Sequence, residues 1–151
     1  MELVRDDLES ADVGRLLRRH LDDAAELSPP ESVHALELME LRRADVTFWS
    51  VREGGELLGC GALKEIEPGH GEVKSMRTAG AHLRKGVASR VLREIVDEAR
   101  RRGYRRLSLE TGTVEAFAPA QRLYRRFGFE PCAPFGAYRE DPHSLFMTLA
   151  L

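Results

Sequence analysis

Apolar residues recur at helical spacing in the first part of the chain, and this pattern predicts two helices. The first helix has one apolar face, formed by Val13, Leu16, Leu17, His20, Leu21 and Ala24. Ser10 is suited to cap that helix. A second helix is predicted to start at Ser28, because Pro29 fits its first turn and Glu31 completes a capping box. Its apolar positions are less regular and are Val33, Leu36, Met39 and Leu41.

The pattern then changes to the period of β-strands. Residues 46–51 are rich in β-forming residue types, and the turn at 53–56 leads into a strand at 57–66, which predicts a hairpin. After a loop that contains glycine and proline, residues 72–78 are predicted to form the next strand. Short stretches bounded by glycine or proline predict further strands at 106–111, 129–135 and 144–149.

Two more helices are predicted in the second half of the chain. Residues 85–102 carry a strong apolar stripe at helical spacing, and Gly103 is placed as the C-terminal cap. Residues 115–127 form another helix, which Gly128 ends. The predicted order α-α-β-β-β-α-β-α-β-β is that of a mixed α/β domain with one strand–helix–strand crossover in its middle. We expect a single domain over residues 1–151.

Composition narrows the class of protein. The 151 residues are 42% hydrophobic and 32% charged, which suits one soluble globular domain. A net charge of −2 weighs against a dedicated nucleic-acid binder. No run approaches the ~18 apolar residues of a membrane span, and the acidic start lacks the apolar core of a signal peptide. Since Cys60 and Cys132 lie far apart in the chain, we expect two reduced thiols in a cytoplasmic protein.

The segment 83–89 carries the clearest candidate chemistry, because it leads from a predicted strand into a strong helix. Gly86 and Ala88 allow a tight turn, and the N–H groups of the first helical turn have no acceptor within the helix. With the helix dipole and the charges of Arg84 and Lys85, they suit a phosphate or pyrophosphate. An ordinary loop with solvated cations is the alternative. The segment matches neither a Walker A loop nor the Rossmann glycine pattern.

A second segment, 120–129, makes a family resemblance visible. Taken alone, Tyr124 on an apolar helix face is more commonly a core residue. Together, however, the two segments resemble the signature of the GNAT superfamily of N-acetyltransferases, [Q/R]-x-x-G-x-[G/A] followed by A-x-x-L-Y-x-x-x-G-F. The matching residues are Gly86, Ala88, Ala120, Leu123, Tyr124, Gly128 and Phe129. The resemblance covers essentially the whole chain.

Two positions depart from the family pattern. Leu83 stands where the family prefers glutamine or arginine, and the adjacent Arg84 is positioned to supply the charge instead. Phe117 stands where the family often has an asparagine that contacts the pantetheine arm of the cofactor. An apolar contact from Phe117 to that arm is the replacement we expect.

The resemblance implies a GNAT fold, with a central mixed and mostly antiparallel sheet flanked by helices, and acetyl-CoA as the co-substrate. The residues expected to bind acetyl-CoA are Met76, Arg77, Thr78, Arg84, Lys85, Gly86, Val87, Ala88, Ser89 and Phe117. The resemblance also implies that Tyr124 protonates the CoA thiolate. As the base that acts through a water we expect Glu72, with Glu110 as its competitor. A plain surface carboxylate at a strand start is the alternative for Glu72.

The expected acceptor is a primary amine on a small molecule, or a peptide, that attacks the thioester directly in a ternary complex. A non-catalytic sensor that binds acyl-CoA is the alternative. A third class is an interaction protein whose basic run at 100–106 binds nucleic acid, although cations also suit a helix C-terminus. We expect no metal, since no histidine has metal-site spacing, and no nucleic-acid or membrane partner. A homodimer through edge strands stays open, and the loop 135–143 either closes over the substrate or is plain surface.

Overall fold

The computed structural model describes residues 1–22 and 30–151 of the chain, and the side chains of residues 1–18 and 35–151. The strands of the described chain are β1 (Glu2–Arg5), β2 (Val46–Glu53), β3 (Glu56–Glu67), β4 (His70–Thr78), β5 (Arg106–Gly112), β6 (Glu130–Cys132) and β7 (Ser144–Ala150). Its helices are α1 (Ala11–Asp22), α2 (Pro30–Leu41), α3 (Val87–Arg101) and α4 (Ala118–Arg126). The strands form a 7-stranded mixed sheet in the order β1-β2-β3-β4-β5-β7-β6.

Three elements differ from the sequence predictions. Strand β1 was not predicted; it is four residues long, largely exposed, and pairs antiparallel with β2. The predicted helix at 115–127 begins as a short 3-10 turn at Glu115–Phe117, and α4 starts only at Ala118. The predicted strand at 129–135 shrinks to the three residues of β6, because the chain then turns into a loop rich in proline and glycine.

The prediction for the start of α2 lies partly outside the described residues, since Ser28 and Pro29 belong to that part of the chain. Two of the apolar positions predicted for the buried face of this helix are wrong. Leu36 and Met39 are 65% and 67% exposed, whereas Leu41 is buried. The irregular spacing of these residues places only part of the set on the buried face.

One compact unit comprises residues 1–63 and 75–95. Its core brings together the apolar faces of α1 and α2 with β2 and β3, through Leu8, Val13, Leu16, Leu17, Leu41, Phe48, Leu57, Cys60 and Ala62. An ion pair also joins α1 to β2, because the Arg52 guanidinium donates to both carboxylate oxygens of Asp12 at 2.6 and 2.8 Å. This two-point contact fixes the first turn of α1 against the sheet.

Two glycines of β3 allow helix α3 to lie very close to the sheet within this unit. A Cβ added at Gly59 would stand 2.6 Å from Val87 Cγ1 and 2.7 Å from the carbonyl oxygen of Arg77. A Cβ added at Gly61 would stand 2.6 Å from both Met76 Sδ and Val91 Cγ1. Such distances are shorter than real Cβ contacts, so a side chain at either position would push α3 away from β3.

The second compact unit comprises residues 64–74 and 96–151. Here β4 pairs parallel with β5, while β5 and β6 each pair antiparallel with β7. Parallel neighbours need a crossover, and α3 supplies it, which confirms the predicted strand–helix–strand arrangement. One face of these strands is lined by buried apolar side chains that include Leu107, Leu109 and Met147.

Candidate active site

Strand β4 bends at Ser75, in the unit formed by residues 1–63 and 75–95. Ser75 has a left-handed backbone with φ of 55°, which a non-glycine residue rarely adopts within a strand. The Cys60 thiol lies 3.5 Å from the Ser75 carbonyl oxygen and donates to it. Such local strain concentrates at functional sites. The residues directly after the bend are Met76, Arg77 and Thr78, which the family resemblance assigns to the cofactor, and all three are half-buried.

Helix α2 contacts this bend through Glu37. Its Oε1 atom accepts a hydrogen bond from Ser75 Oγ at 3.1 Å and lies 3.4 Å from Arg77 Nη2. Arg77 also donates through Nη1 to the Met76 carbonyl oxygen at 3.1 Å. The guanidinium of Arg77 is therefore held against α2 and the adjacent backbone. This geometry favours a contribution of Arg77 to the cofactor site through its backbone rather than through its side chain.

The loop before α3 has the geometry of an anion site. Arg84 and Gly86 both adopt left-handed backbone conformations, with φ of 64° and 81°. Alternating left- and right-handed residues turn successive N–H groups into one concavity that suits an anion. The first hydrogen bond of the helix runs from Arg90 N to Gly86 O at 3.0 Å, so the N–H groups of residues 87–89 are first-turn donors without an acceptor in the helix.

The side chains around this loop add positive charge and stay exposed. Arg84 and Lys85 are both exposed, and Lys85 Nζ lies 3.2 Å from His82 Nδ1. Leu83 is 59% exposed and gives the loop an apolar side chain at the position where the family signature prefers a polar one. Helix dipole, N–H groups and exposed cations together make this loop suitable for a phosphate or pyrophosphate.

Glu72 lies in the other unit and is buried, with 4% of its surface exposed. It stands on β4 opposite Ser108 of β5. The Tyr138 hydroxyl donates a hydrogen bond of 2.6 Å to Glu72 Oε2. A carboxylate that is removed from water needs such a partner. The alternative interpretation of Glu72 as a surface carboxylate is therefore wrong. Tyr138 was not among the predicted site residues, since no local pattern links it to a residue 66 positions away.

The competitor Glu110 has a different environment. It is exposed at the end of β5, where Ser144 Oγ donates to its Oε2 atom at 2.6 Å. Ser144 is the first residue of β7, so this bond ties together the ends of two neighbouring strands. The arrangement fits a structural role for Glu110 better than that of a shielded base.

Tyr124 is buried in α4 with 7% of its surface exposed. Its ring meets the Phe129 ring edge to face, with centroids 5.9 Å apart and an angle of 62° between the planes. This contact fixes the direction of the Cβ–ring bond and thereby of the hydroxyl group. The ring is therefore a core element, and removal of the hydroxyl alone leaves that packing in place.

Phe117 is positioned by the end of β5. Its ring covers Gly112 so closely that a Cβ added at Gly112 would overlap the ring. Gln121 of α4 donates to the Gly112 carbonyl oxygen at 2.7 Å, which anchors the same segment. The aromatic side chain is thus half-buried and held at the junction of β5 and α4.

The described residues contain no group of three or more His, Cys, Asp or Glu side chains placed to hold a metal ion. None of the helices in the described ranges is both long and apolar enough to cross a membrane. Both cysteines are free thiols, Cys60 buried and Cys132 half-buried, as the sequence predicts.

The family model and several relatives match most or all of the chain. The model of the acetyltransferase (GNAT) family matches residues 13–129. YsnE of Bacillus subtilis, named an uncharacterized N-acetyltransferase, is 56% identical over 151 residues, which is 100% of both chains. YedL of Escherichia coli, named in the same way, is 51% identical and covers 97% of this chain and 92% of its own. A protein of Azospirillum brasilense named IAA acetyltransferase is 43% identical, with coverages of 89% and 86%.

Solved structures share the fold. A GNAT family acetyltransferase from Elizabethkingia anophelis with acetyl-CoA bound has a TM-score of 0.71 at 18% identity, covering 99% of this chain and 97% of that one. An IAA acetyltransferase from Bacillus cereus has a TM-score of 0.74 at 20% identity, covering 99% of each chain. At this identity the structures speak for the fold alone, which agrees with the predicted one. Family model and relatives together show that the chain belongs to the GNAT family of N-acetyltransferases.

Proposed function

We propose that this protein transfers the acetyl group of acetyl-CoA to a primary amine of a small molecule, or of a peptide, by direct attack in a ternary complex. The observation that carries the proposal is the anion-binding geometry of the loop before α3. Two left-handed residues, an open helix N-terminus and two exposed cations occur at the positions where the family signature places the pyrophosphate.

Cofactor binding is assigned to both ends of the β4–α3 connection. The N–H groups and cations of Arg84, Lys85, Gly86, Val87, Ala88 and Ser89 hold the pyrophosphate. Backbone groups of Met76, Arg77 and Thr78 pair with the pantetheine arm, and one N–H polarises the thioester carbonyl as negative charge develops on its oxygen. Phe117 adds an apolar contact to the arm. The bend at Ser75 supports this assignment, because its left-handed backbone lies directly before these residues and such local strain concentrates at functional sites.

The chemistry requires two proton transfers and no metal. The amine nitrogen attacks the carbonyl carbon, a C–N bond forms, and the C–S bond then breaks. Glu72 takes the proton of the amine through a water, and Tyr124 gives a proton to the departing thiolate. Positioning of two bound reactants contributes most of the acceleration. The burial of Glu72 favours it over Glu110 as the base. A base that is shielded from bulk water takes its proton from the substrate rather than from the solvent.

A non-catalytic acyl-CoA sensor is the second candidate, and the exposed Leu83 favours it, because this position lacks the polar side chain of the family signature. An acceptor screen separates the two candidates. Small amines and short peptides form the panel, and IAA is included because a relative that is 43% identical is named for it. Formation of free CoA only in the presence of one acceptor class supports the enzyme; acetyl-CoA binding without transfer supports the sensor.

Calorimetric titration with acetyl-CoA tests the loop, with dephospho-CoA and ATP as reference ligands. The decisive variant is Gly86→Glu, which places a carboxylate at the anion site and a side chain where φ is 81°. Its matched control is Gly103→Glu at the other end of α3, where φ is 77° and the surroundings are equally open. We expect wild type and Gly103→Glu to bind and Gly86→Glu to lose at least about 100-fold in affinity, through charge repulsion and lost N–H contacts. Equal affinity of both folded variants would disprove the assignment.

A further inference from the structure

Tyr138 lies in the loop between β6 and β7, outside the segments that carry the family signature. Its hydroxyl reaches Glu72 Oε2 at 2.6 Å, a short distance typical of a hydrogen bond to an ionised carboxylate. The two residues are 66 positions apart, so the fold rather than the local sequence brings them together. Both belong to the unit of residues 64–74 and 96–151.

The ring of Tyr138 is held in place by other aromatic rings. The Phe135 centroid lies 5.1 Å away in an edge-to-face arrangement, and the Phe146 centroid lies 5.5 Å away. Phe146 is buried in β7, and Phe135 also contacts it at 5.9 Å. Edge-to-face and tilted contacts of this kind restrict the ring to one orientation. The hydroxyl therefore approaches Glu72 from a direction that the sheet itself determines.

We propose that Tyr138 is a positioning residue for Glu72, which fixes the orientation of the carboxyl group so that it accepts a proton from the bridging water. This inference rests on the proposed function, in which Glu72 is the base. A general base is effective only when its acceptor oxygen lies within hydrogen-bond reach of the proton that it takes. In this role Tyr138 acts through Glu72, because it restricts the rotation of the carboxyl group by binding one of its oxygens.

The proton balance of the step is complete. The neutral amine nitrogen of the acceptor forms the C–N bond, and it gives one proton to the water as the water gives one to Glu72, which leaves the uncharged amide nitrogen. The C–S electron pair leaves with sulfur, which receives a proton from Tyr124. Glu72 afterwards releases its proton to solvent, and Tyr124 takes one from solvent. Tyr138 keeps its own proton throughout, because it acts only as a hydrogen-bond donor to Oε2.

The substitution Tyr138→Phe tests the inference, since it keeps the ring contacts and removes one hydroxyl. We expect kcat to fall about tenfold, with KM for acetyl-CoA and acceptor within about twofold of wild type. The matched control is Tyr104→Phe, at a buried tyrosine of the same unit whose hydroxyl interacts with Arg102, whereas Tyr138 is half-buried. This control should keep the wild-type kcat. If removal of a tyrosine hydroxyl from this unit lowered kcat only by loosening the packing, Tyr104→Phe would lower kcat as well.

A double-mutant cycle with Glu72→Gln separates the two proposals. Glu72→Gln should lower kcat by about 100-fold, and adding Tyr138→Phe should then change nothing more, because the hydroxyl has lost the charged group that it positions. Full kcat in Glu72→Gln would remove Glu72 as the base and overturn this inference, while acetyl transfer itself would stand. Full kcat in Tyr138→Phe alone, or additive losses in the double variant, would overturn the inference and leave Glu72 as the base.

Discussion

Tyr124 has a packing role in the core, and we propose a chemical role for it as well. The edge-to-face contact with Phe129 places the ring in the core of its unit, and burial leaves 7% of the residue exposed. A core tyrosine and a general acid are therefore compatible at this position. Only a change that separates the ring from its hydroxyl distinguishes them.

Tyr124→Phe should lower kcat by about 100-fold and leave the affinity for acetyl-CoA nearly unchanged, because the ring contact with Phe129 is retained while the proton donor is lost. Steady-state kinetics with a thiol-trapping readout of CoA, together with calorimetry, measure both quantities. Wild-type kcat in the variant would remove Tyr124 from the chemistry. A parallel loss of acetyl-CoA affinity would instead assign it to binding.

Among single residues, those in local motifs could be predicted from the sequence and those that depend on the fold could not. Gly86 was identifiable because a glycine directly before a segment with helical spacing of apolar residues indicates a tight turn into a helix. In the structure this glycine has a left-handed backbone. Tyr138 was not, because its partner Glu72 lies on a distant strand. The left-handed conformation of Ser75 is equally invisible, since serine shows no preference for it.

At the scale of elements, the contact between α3 and β3 depends on two glycines. Gly59 meets a backbone atom, the Arg77 carbonyl oxygen, whereas the nearest atoms at Gly61 all belong to side chains. Side-chain ends can shift, but a backbone carbonyl in a sheet cannot move without loss of pairing. The two positions should therefore differ in their tolerance of an added methyl group.

We expect Gly59→Ala to lower the free energy of unfolding by about 1–3 kcal/mol and Gly61→Ala to lower it less, because Met76 can change rotamer. Urea denaturation followed by circular dichroism gives both values. Acetyl-CoA affinity should fall further in Gly59→Ala, since that Cβ also meets Val87 at the start of α3. Identical unfolding midpoints for the two variants would contradict the distinction.

Helices and strands were predictable from the sequence where the spacing of apolar residues and the length of the segment indicated the same type of element. The long stripe of α3 and the hairpin strands β2 and β3 were identified with ends correct to within two residues. Strand β1 was missed, because four largely exposed residues carry no alternation, and its pairing depends on the edge that β2 offers. The shortening of β6 has the same origin, since its extent is determined by β7.

For the whole molecule, acid stability depends on ion pairs such as that of Asp12 with Arg52. The hydrogen bonds from Arg52 hold the pKa of the Asp12 carboxyl well below its usual range. A lowered folded-state pKa means that the unfolded chain binds the proton more readily. The stabilisation is therefore complete above the ordinary pKa of about 3.9 and is lost as the pH falls through the lower folded value.

Asp12→Asn should destabilise the protein by about 1–2 kcal/mol at pH 7, because both side chains of the pair are partly exposed to solvent. The difference from wild type should stay constant down to about pH 5 and shrink below about pH 4. Urea titrations at several pH values measure it, with the exposed Asp97→Asn as the control. A difference in the free energy of unfolding that grows toward acid pH would contradict this assignment.

Three expectations from the sequence stay predictions. They are the single-domain organisation over residues 1–151, the cytoplasmic location and a homodimer.

The ends of the sheet have a consequence for the behaviour of the protein at high concentration. The outermost strands, β1 and β6, are four and three residues long, and β6 contains Pro131, which has no N–H to donate. A second chain that tried to extend the sheet would find few hydrogen-bonding groups at either end. A homodimer of this chain would therefore form through helix or loop surfaces, and concentrated solutions should resist the growth of strand-linked fibrils.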